Sequence, residues 1–289
     1  MRDYVIVTDS SCDLPQEMTD AWGVPVVPLS VELGNQHFQN KPGEGPDSHE
    51  FFQRLYRGEP VRTSSPNVEE FKKTFLPILQ AGKDILYLAF SSGLSATYHH
   101  GTLAARDLIH KLPGTNIITV DTLCASVGQG LLVEMVVEQK RQGKTIEEAR
   151  NFAEQHKMNI CHWFTVSNLT QLRRGGRLSA SKAVFGSLLN IKPIIHVDEE
   201  GHLIASENAK GRKKSIELLV DHMEQTALDP THHRAYISQA DCMQEAQQLA
   251  AMVKERLQVP NVAITNIGPV IGAHTGIGTL TLVFYGTAR

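Results

Sequence analysis

The sequence predicts an α/β protein of two domains, and three observations carry that prediction. Short apolar runs alternate with helical periodicity in the first half, which is the mark of βαβ units and a parallel sheet. In the second half an apolar run, an acidic turn and a second apolar run form an antiparallel hairpin. The change from one pattern to the other falls near residues 155–162. We therefore expect an N-terminal domain over residues 1–158, with a mostly parallel sheet flanked by helices. A C-terminal α/β domain over residues 159–289 would hold a mixed sheet containing the hairpin.

Taken in order, Tyr4 to Thr8, Val26 to Val31, Asp84 to Ala89 and Asn116 to Val120 have the length and content of short buried strands. Thr63-Ser64-Ser65-Pro66-Asn67-Val68-Glu69-Glu70 has the hydroxyls of a capped helix start, a proline for the first turn and acids to complement the dipole. Helical patterns at 94–111 and 124–142 follow the last two strands, and Thr145-Ile146-Glu147-Glu148 opens an amphipathic run through Met158. Beyond the boundary come a strand from Trp163 to Val166, the turn Arg174-Gly175-Gly176-Arg177 and a small helix from Ala180 to Leu188. The hairpin joins Ile191–Val197 to His202–Asn208 across Asp198-Glu199-Glu200-Gly201. Helices near 211–228 and 241–258 then alternate with strands at 234–239, 262–266 and 279–285.

Composition excludes several function classes. A net charge of -3 and a pI near 6.5 leave no basic footprint for a nucleic-acid partner. No apolar run reaches the length of a membrane span, and Met1-Arg2-Asp3-Tyr4 does not begin a secretory signal, so a cytoplasmic protein is expected. The four cysteines are far apart with no C-x-x-C pair, which favours buried free thiols over a zinc site or disulfide scaffold. Among the thirteen histidines, the pairs His99-His100 and His232-His233 lack an H-E-x-x-H frame, so no metal is expected.

Chemistry concentrates in three segments. Asp84 to Tyr98, DILYLAFSSGLSATY, runs from an apolar strand through Ser91, Ser92 and Ser95 into a helix. A strand end opening onto a helix N-terminus aims backbone N–H groups and a positive dipole end at one spot, which suits an anion. The same serines are also good caps and turn formers. Thr63 to Glu70 repeats the pattern, again with an N-cap as its simpler reading. Ile271-Gly272-Ala273-His274-Thr275-Gly276-Ile277-Gly278 frames one histidine with glycines that allow close backbone approach. Together the three describe a carboxylate or phosphate pocket of hydroxyls, amides and one imidazole. Ligands of parallel sheets sit beyond the carboxyl ends of the strands, where Asp9-Ser10-Ser11, Ser91-Ser92 and Asp121-Thr122 fall. Asp9 and Asp121 are expected there to cap and tie loops through backbone N–H groups.

At this point the chain resembles the DegV family, bacterial fatty-acid-binding proteins that include the FakB carriers. The resemblance rests on VTDSSCDLP at Val7 to Pro15, TSSPNVEEF at Thr63 to Phe71, SSGLSATY at Ser91 to Tyr98, VDTLCAS at Val120 to Ser126 and LRRGGRLS at Leu172 to Ser179. AKGRKKS at Ala209 to Ser215 and the GAHTGIG segment follow in order, so the match runs nearly end to end. It implies the two-domain DegV/EDD-type fold and one long-chain fatty acid, such as palmitate, stearate or oleate, in a tunnel between the domains. It implies no cofactor and no turnover: the carrier presents the carboxylate to a FakA-like fatty acid kinase, which forms an acyl phosphate for phospholipid synthesis. Transient contact with a membrane surface is implied as well.

Carried over position by position, the family's carboxylate contacts fall on Thr63, Ser95, the amide of Ala96, and His274. Arg177 matches the arginine facing the mouth where the phosphate arrives, and Lys210 and Arg212 fall on a second basic contribution within the cluster that also holds Lys213 and Lys214. Two positions depart from the pattern. Ala96 stands where many members have glycine, which adds a methyl beside the proposed amide donor, and Ser65 stands where glutamine is frequent. Val184, Phe185, Leu188, Leu189 and Ile194 are candidate tunnel wall, with ordinary core as the alternative reading.

Magnitudes divide the labour in such a site. Removing a chain of roughly sixteen carbons from water gains up to about 12 kcal/mol at ~0.8 kcal/mol per methylene, before binding costs. Each hydrogen bond to the carboxylate contributes about 1.5–3 kcal/mol, part of which replaces lost hydration. The tail supplies affinity and the head fixes orientation. The alternative is a serine-dependent acyl hydrolase or transferase using Ser95 and His274, yet Gly93-Leu94-Ser95-Ala96-Thr97 is not a G-x-S-x-G elbow and no acid is evident to orient the histidine. Ser179-Ala180-Ser181-Lys182 matches S-x-x-K without a K-T-G partner, and a phosphoryl-transfer enzyme would need a P-loop that the chain lacks.

Overall fold

Every residue of Asp84–Ala89 is buried, as a strand covered on both faces must be, and in the computed structural model this segment is central to a parallel sheet. The structure describes residues 2–178, 190–287 and 289. The first part of the chain runs β1 (Tyr4–Asp9), α1 (Gln16–Trp22), β2 (Val26–Val27), β3 (Ser30–Leu33), β4 (Gln36–Gln39), α2 (Ser48–Tyr56), β5 (Val61–Ser64), α3 (Val68–Gln80), β6 (Asp84–Ala89), α4 (Thr97–Lys111), β7 (Ile117–Asp121), α5 (Ser126–Arg141) and α6 (Ile146–His156). The rest runs β8 (Ile160–Thr165), α7 (Thr170–Arg174), β9 (Ile191–Val197), β10 (Leu203–Lys210), α8 (Arg212–Thr226), β11 (Ala235–Gln239), α9 (Met243–Leu257), β12 (Val262–Asn266), α10 (Pro269–Thr275) and β13 (Leu280–Tyr285).

The expected architecture is present. A four-stranded sheet of order β2-β1-β6-β7 is parallel throughout, with α3 and α4 against it over a core of Phe71, Phe75, Tyr87 and Leu108. A six-stranded sheet of order β10-β9-β8-β13-β11-β12 is mixed: β9 and β10 form the antiparallel hairpin and β11 and β12 run parallel. The strands β4-β3-β5 make a small antiparallel sheet of their own.

The run Val26 to Val31, read as one strand, is two. Val26–Val27 joins the parallel sheet and Ser30–Leu33 leaves for the small one, with Pro28 and Leu29 between them. Proline has no N–H for a ladder, so the run breaks there. The helix start at Thr63 is also displaced: Thr63 and Ser64 end β5, and Asn67 caps α3 in a capping box with Glu70. Pro66 therefore precedes the cap instead of entering the first turn. At α6 Thr145 is the cap, with Glu148 completing the box, as its sequence predicts. The small helix expected at Ala180–Leu188 lies outside the described residues.

Helix α5 joins the two larger sheets. Ten of its sixteen residues are buried, and it packs on β1 and β6 at one side and on β8, β11 and β13 at the other. A helix buried over so much of its surface has no narrow apolar stripe to signal it. Buried Gln129 within it donates to Thr8 Oγ1 at 2.9 Å and to the Leu88 carbonyl at 3.3 Å and accepts from Ser11 Oγ at 3.3 Å, which satisfies its amide. At Gly128 the helix comes so close to the His162 ring of β8 that any Cβ would overlap Nε2. We expect Gly128→Ala to lower the unfolding free energy by about 1–3 kcal/mol, the range for overpacking, as read by urea unfolding. A midpoint equal to wild type would show that this contact does not set the helix position.

Candidate ligand-binding cavity

The sheets and α10 enclose a cavity of about 340 Å³, inside the ~300–1,000 Å³ span of ligand pockets. Its apolar wall includes Leu29, Phe90, Leu94, Phe164, Val197 and Leu203. Its polar wall includes Thr63, Ser95, Arg177 and His274, and Ala96 lines it as well. The three segments that sequence analysis singled out thus meet around one space.

Each wall is held by identifiable contacts. Thr63 sits on β5 opposite Val31, and its Oγ1 is 2.8 Å from His274 Nε2. His274 belongs to α10, where sequence analysis expects only a glycine-framed segment before the last strand. That short helix packs on α2: Gly272 abuts the Phe51 and Phe52 rings so closely that a Cβ would meet Phe52 at 2.7 Å. Gly175 of the Gly-rich turn lies against His274 Nδ1 with no room for a side chain.

The loop from β6 into α4 carries Ser95 and Ala96. Asp9 fixes its start, accepting from Tyr87 Oη at 2.8 Å and from the Phe90 N–H at 2.9 Å. Asp121 accepts from the Ser92 and Leu123 amides at 3.2 and 3.1 Å. Both acids therefore tie loops as expected. Ser91 Oγ donates to the Gly201 carbonyl at 2.9 Å, locking the loop onto the hairpin turn. Ala96 is the N-cap residue of α4, so the positive end of a four-turn helix opens at the cavity wall. Ser95 Oγ lies 2.8 Å from Thr97 Oγ1.

Arg177 crosses between the walls: Nε donates to the Leu94 carbonyl at 3.2 Å and an Nη to the Gly175 carbonyl at 2.6 Å. Burial, and next the Arg177 charge, push His274 down to about 4, so its ring is neutral near pH 7. Burial first, and Arg289 second, lower His162 to about 3. Burial also raises Asp13 to about 7, although its oxygens accept from Ser126 Oγ at 2.6 Å and from the Gly268 N–H at 2.9 Å.

Several expected residues lie elsewhere. Lys210 is exposed at the end of β10, and Arg212 points to α9, paired with Glu245 at 2.6 Å; neither lines the cavity. Ile194 is buried on the opposite face of the mixed sheet, with Leu219 and Val220 of α8, while Ile195 and Val197 face the cavity side. Adjacent strand residues point to opposite faces, so a one-residue shift separates wall from core. Val184, Phe185, Leu188 and Leu189 lie outside the described residues. Sequence reasoning missed Ser126, His162, Thr279 and Thr281, which line the cavity floor. The signal was strand alternation, which puts His162 with Phe164 on one face of β8 and Thr281 on one face of β13, with Thr279 just before that strand.

Ser95 and His274 are not hydrogen-bonded to each other, and among the described residues no carboxylate is bonded to the imidazole. A nucleophile, base and orienting acid in series are therefore not assembled here. Among those residues, too, no group of three or more His, Cys, Asp or Glu side chains is placed to hold a metal ion, and no helix is long and apolar enough to cross a membrane.

The parallel and mixed sheets, with α5 between them, thus border an apolar cavity with polar side chains in its wall, an arrangement suited to a small-molecule ligand. The family model described as "Uncharacterised protein, DegV family" matches residues 3–287, and the chain belongs to the DegV family. A DegV domain-containing protein of Clostridium perfringens is 39% identical over 289 residues, covering 100% of this chain and 99% of that protein. Among solved structures, a fatty-acid-binding DegV family protein from Thermus thermophilus superimposes with a TM-score of 0.90 at 32% identity, over 99% of this chain and 100% of that one. A DegV lipid-binding protein from Thermotoga maritima gives 0.87 at 28% identity, over 99% of both chains.

The electrostatics of His274 are directly measurable. In ligand-free protein we expect its imidazole proton signals to titrate with a midpoint near 4, well below the ordinary 6.5. The unfolded chain takes up that proton near 6.5 and the folded chain does not, so this residue weakens folding as pH falls from about 6.5 toward 4, while Asp13 acts in the opposite sense. A midpoint above 6 would mean that the ring is solvated or paired with an acid.

Proposed function

We propose that the protein is a carrier that holds one long-chain fatty acid, of the palmitate, stearate or oleate type, between a unit formed by residues 1–158 and a second formed by residues 159–289. The observation that carries the reading is the cavity itself, apolar along most of its wall and lined as well by the Thr63 and Ser95 hydroxyls, the amide end of α4, and neutral His274. In this reading the carboxylate takes hydrogen bonds from Thr63, Ser95 and the Ala96 amide, with His274 orienting Thr63 through their shared bond. Anion recognition by neutral donors binds the head without attacking it.

The carrier would present the carboxylate to a fatty acid kinase, which converts it to an acyl phosphate for phospholipid synthesis in the cytoplasm, and exchange its acid by brief contact with a membrane surface. Arg177 supports that step: it is half-buried in the cavity wall, and its guanidinium donates to the Leu94 and Gly175 carbonyls, with no carboxylate bonded to it among the described residues. Arg212, held by Glu245, is a weaker candidate for meeting the phosphate than the sequence suggested, and Lys210 keeps an exposed ammonium on the far hairpin strand.

Native mass spectrometry of the purified chain tests the first half of this reading. One fatty acid per chain is expected, and Thr63→Ala or Ser95→Ala should each weaken acid binding by about 1.5–3 kcal/mol, the worth of one hydrogen bond to a charged group. Hydrolysis of acyl esters that disappears in Ser95→Ala would overturn the carrier reading. For the second half, Arg177→Ala should leave lipid occupancy unchanged and reduce kinase-dependent phosphorylation at least tenfold. Equal loss of both would assign Arg177 to lipid binding or to the fold.

A further inference from the structure

The floor of the cavity is not uniformly apolar. Thr281 of β13 is almost fully buried yet lines the cavity, and among the described residues no hydrogen bond takes its hydroxyl. Its cross-strand neighbours on the same face are Phe164 of β8 and Ser238 of β11. Ser238 Oγ lies 3.2 Å from Ser126 Oγ, and Ser126 also lines the cavity. Ser126 gives its own hydrogen to Asp13 Oδ2 at 2.6 Å, which leaves an oxygen lone pair for the cavity. Thr281 therefore offers a free donor and Ser126 an acceptor on one patch of the floor. A saturated chain lying over that patch leaves both unanswered.

From this juxtaposition we propose that the preferred ligand is a hydroxylated long-chain fatty acid, its chain hydroxyl accepting from Thr281 and donating to Ser126. The inference rests on the carrier reading and names the ligand class within it. A hydroxyl supplies one donor and one acceptor, which is what the patch lacks, whereas a keto group would answer only Thr281. Buried polar groups are stable when paired, so a ligand that completes the pair gains over one that does not.

The test is competitive binding at mildly alkaline pH of stearate against a series of monohydroxystearates that differ in the position of the hydroxyl. One positional isomer should bind wild type about tenfold more tightly than stearate, the equivalent of one net hydrogen bond. Thr281→Val should abolish that advantage and leave stearate bound at least as well, and Thr281→Ser should keep it. If stearate binds and no isomer outcompetes it, or if Thr281→Val leaves the ratio unchanged, this inference is overturned while the carrier reading stands. If neither stearate nor any isomer binds, both fall. Should Thr281→Val fail to fold, the wild-type ranking still decides.

Discussion

Helix α5 is the part on which the rest depends. It lies between two sheets that would otherwise each need their own cover, and it faces them with apolar side chains, with glycine, and with polar groups that are paired across the contact, such as Gln129 on Thr8 and Glu134 on Tyr236. Its glycine against His162 sets how near the mixed sheet comes, and so how wide the cavity beside it can be. Its first residue, Ser126, lines that cavity and bonds Asp13, whose other oxygen receives the Gly268 N–H at the start of α10. The placement of His274 at the end of α10 therefore follows from the seating of α5 through one buried carboxyl. Arg289 closes the same region from outside, its guanidinium donating to the Leu123 and Lys157 carbonyls, which fixes the loop before α5 to the end of α6.

Much of this was legible in the chain. Asp84–Ala89, Ile191–Val197 and Val262–Asn266 have the bounds the sequence suggests, because each is an apolar run stopped by residues that cannot extend a ladder or are better solvated. Thr63, Ser95, Ala96, Arg177 and His274 were found as motifs and do line one cavity. The elements that were not found share a cause. Helix α10, rich in small residues, has little intrinsic helical preference and stands because Phe51, Phe52 and Leu29 pack on it. Ile194 and Ile195 are adjacent and equally apolar, and nothing local tells which faces the ligand; only the pairing of β9 with β8 decides it. The basic cluster was mapped as a second phosphate-facing contribution by resemblance, and the pairing of Arg212 with Glu245 lies across two helices, where no single segment reveals it.

Apart from Arg177, the polar chemistry of the cavity described above is made from neutral groups, several of them held in place by acids outside it. Asp9, Asp13 and Asp121 do not line the cavity; they hold the loops that present Ser95, Ser126 and Ala125 to it. Carboxylates at the wall would repel an anionic ligand, while carboxylates one layer back orient amides and hydroxyls toward it. This arrangement explains why acids recur next to a site that would take an acid.

The 2.8 Å bond between Thr63 and His274 has a further consequence. An uncharged imidazole can carry its hydrogen on either nitrogen. When Nε2 holds it, the threonine oxygen is the receiver and its own hydrogen is turned outward to a ligand oxygen; when Nδ1 holds it, the threonine gives inward and shows the ligand a lone pair. The pair can thus meet a head group in its ionised or its protonated form by moving one hydrogen between tautomers, without any change of net charge in the chamber.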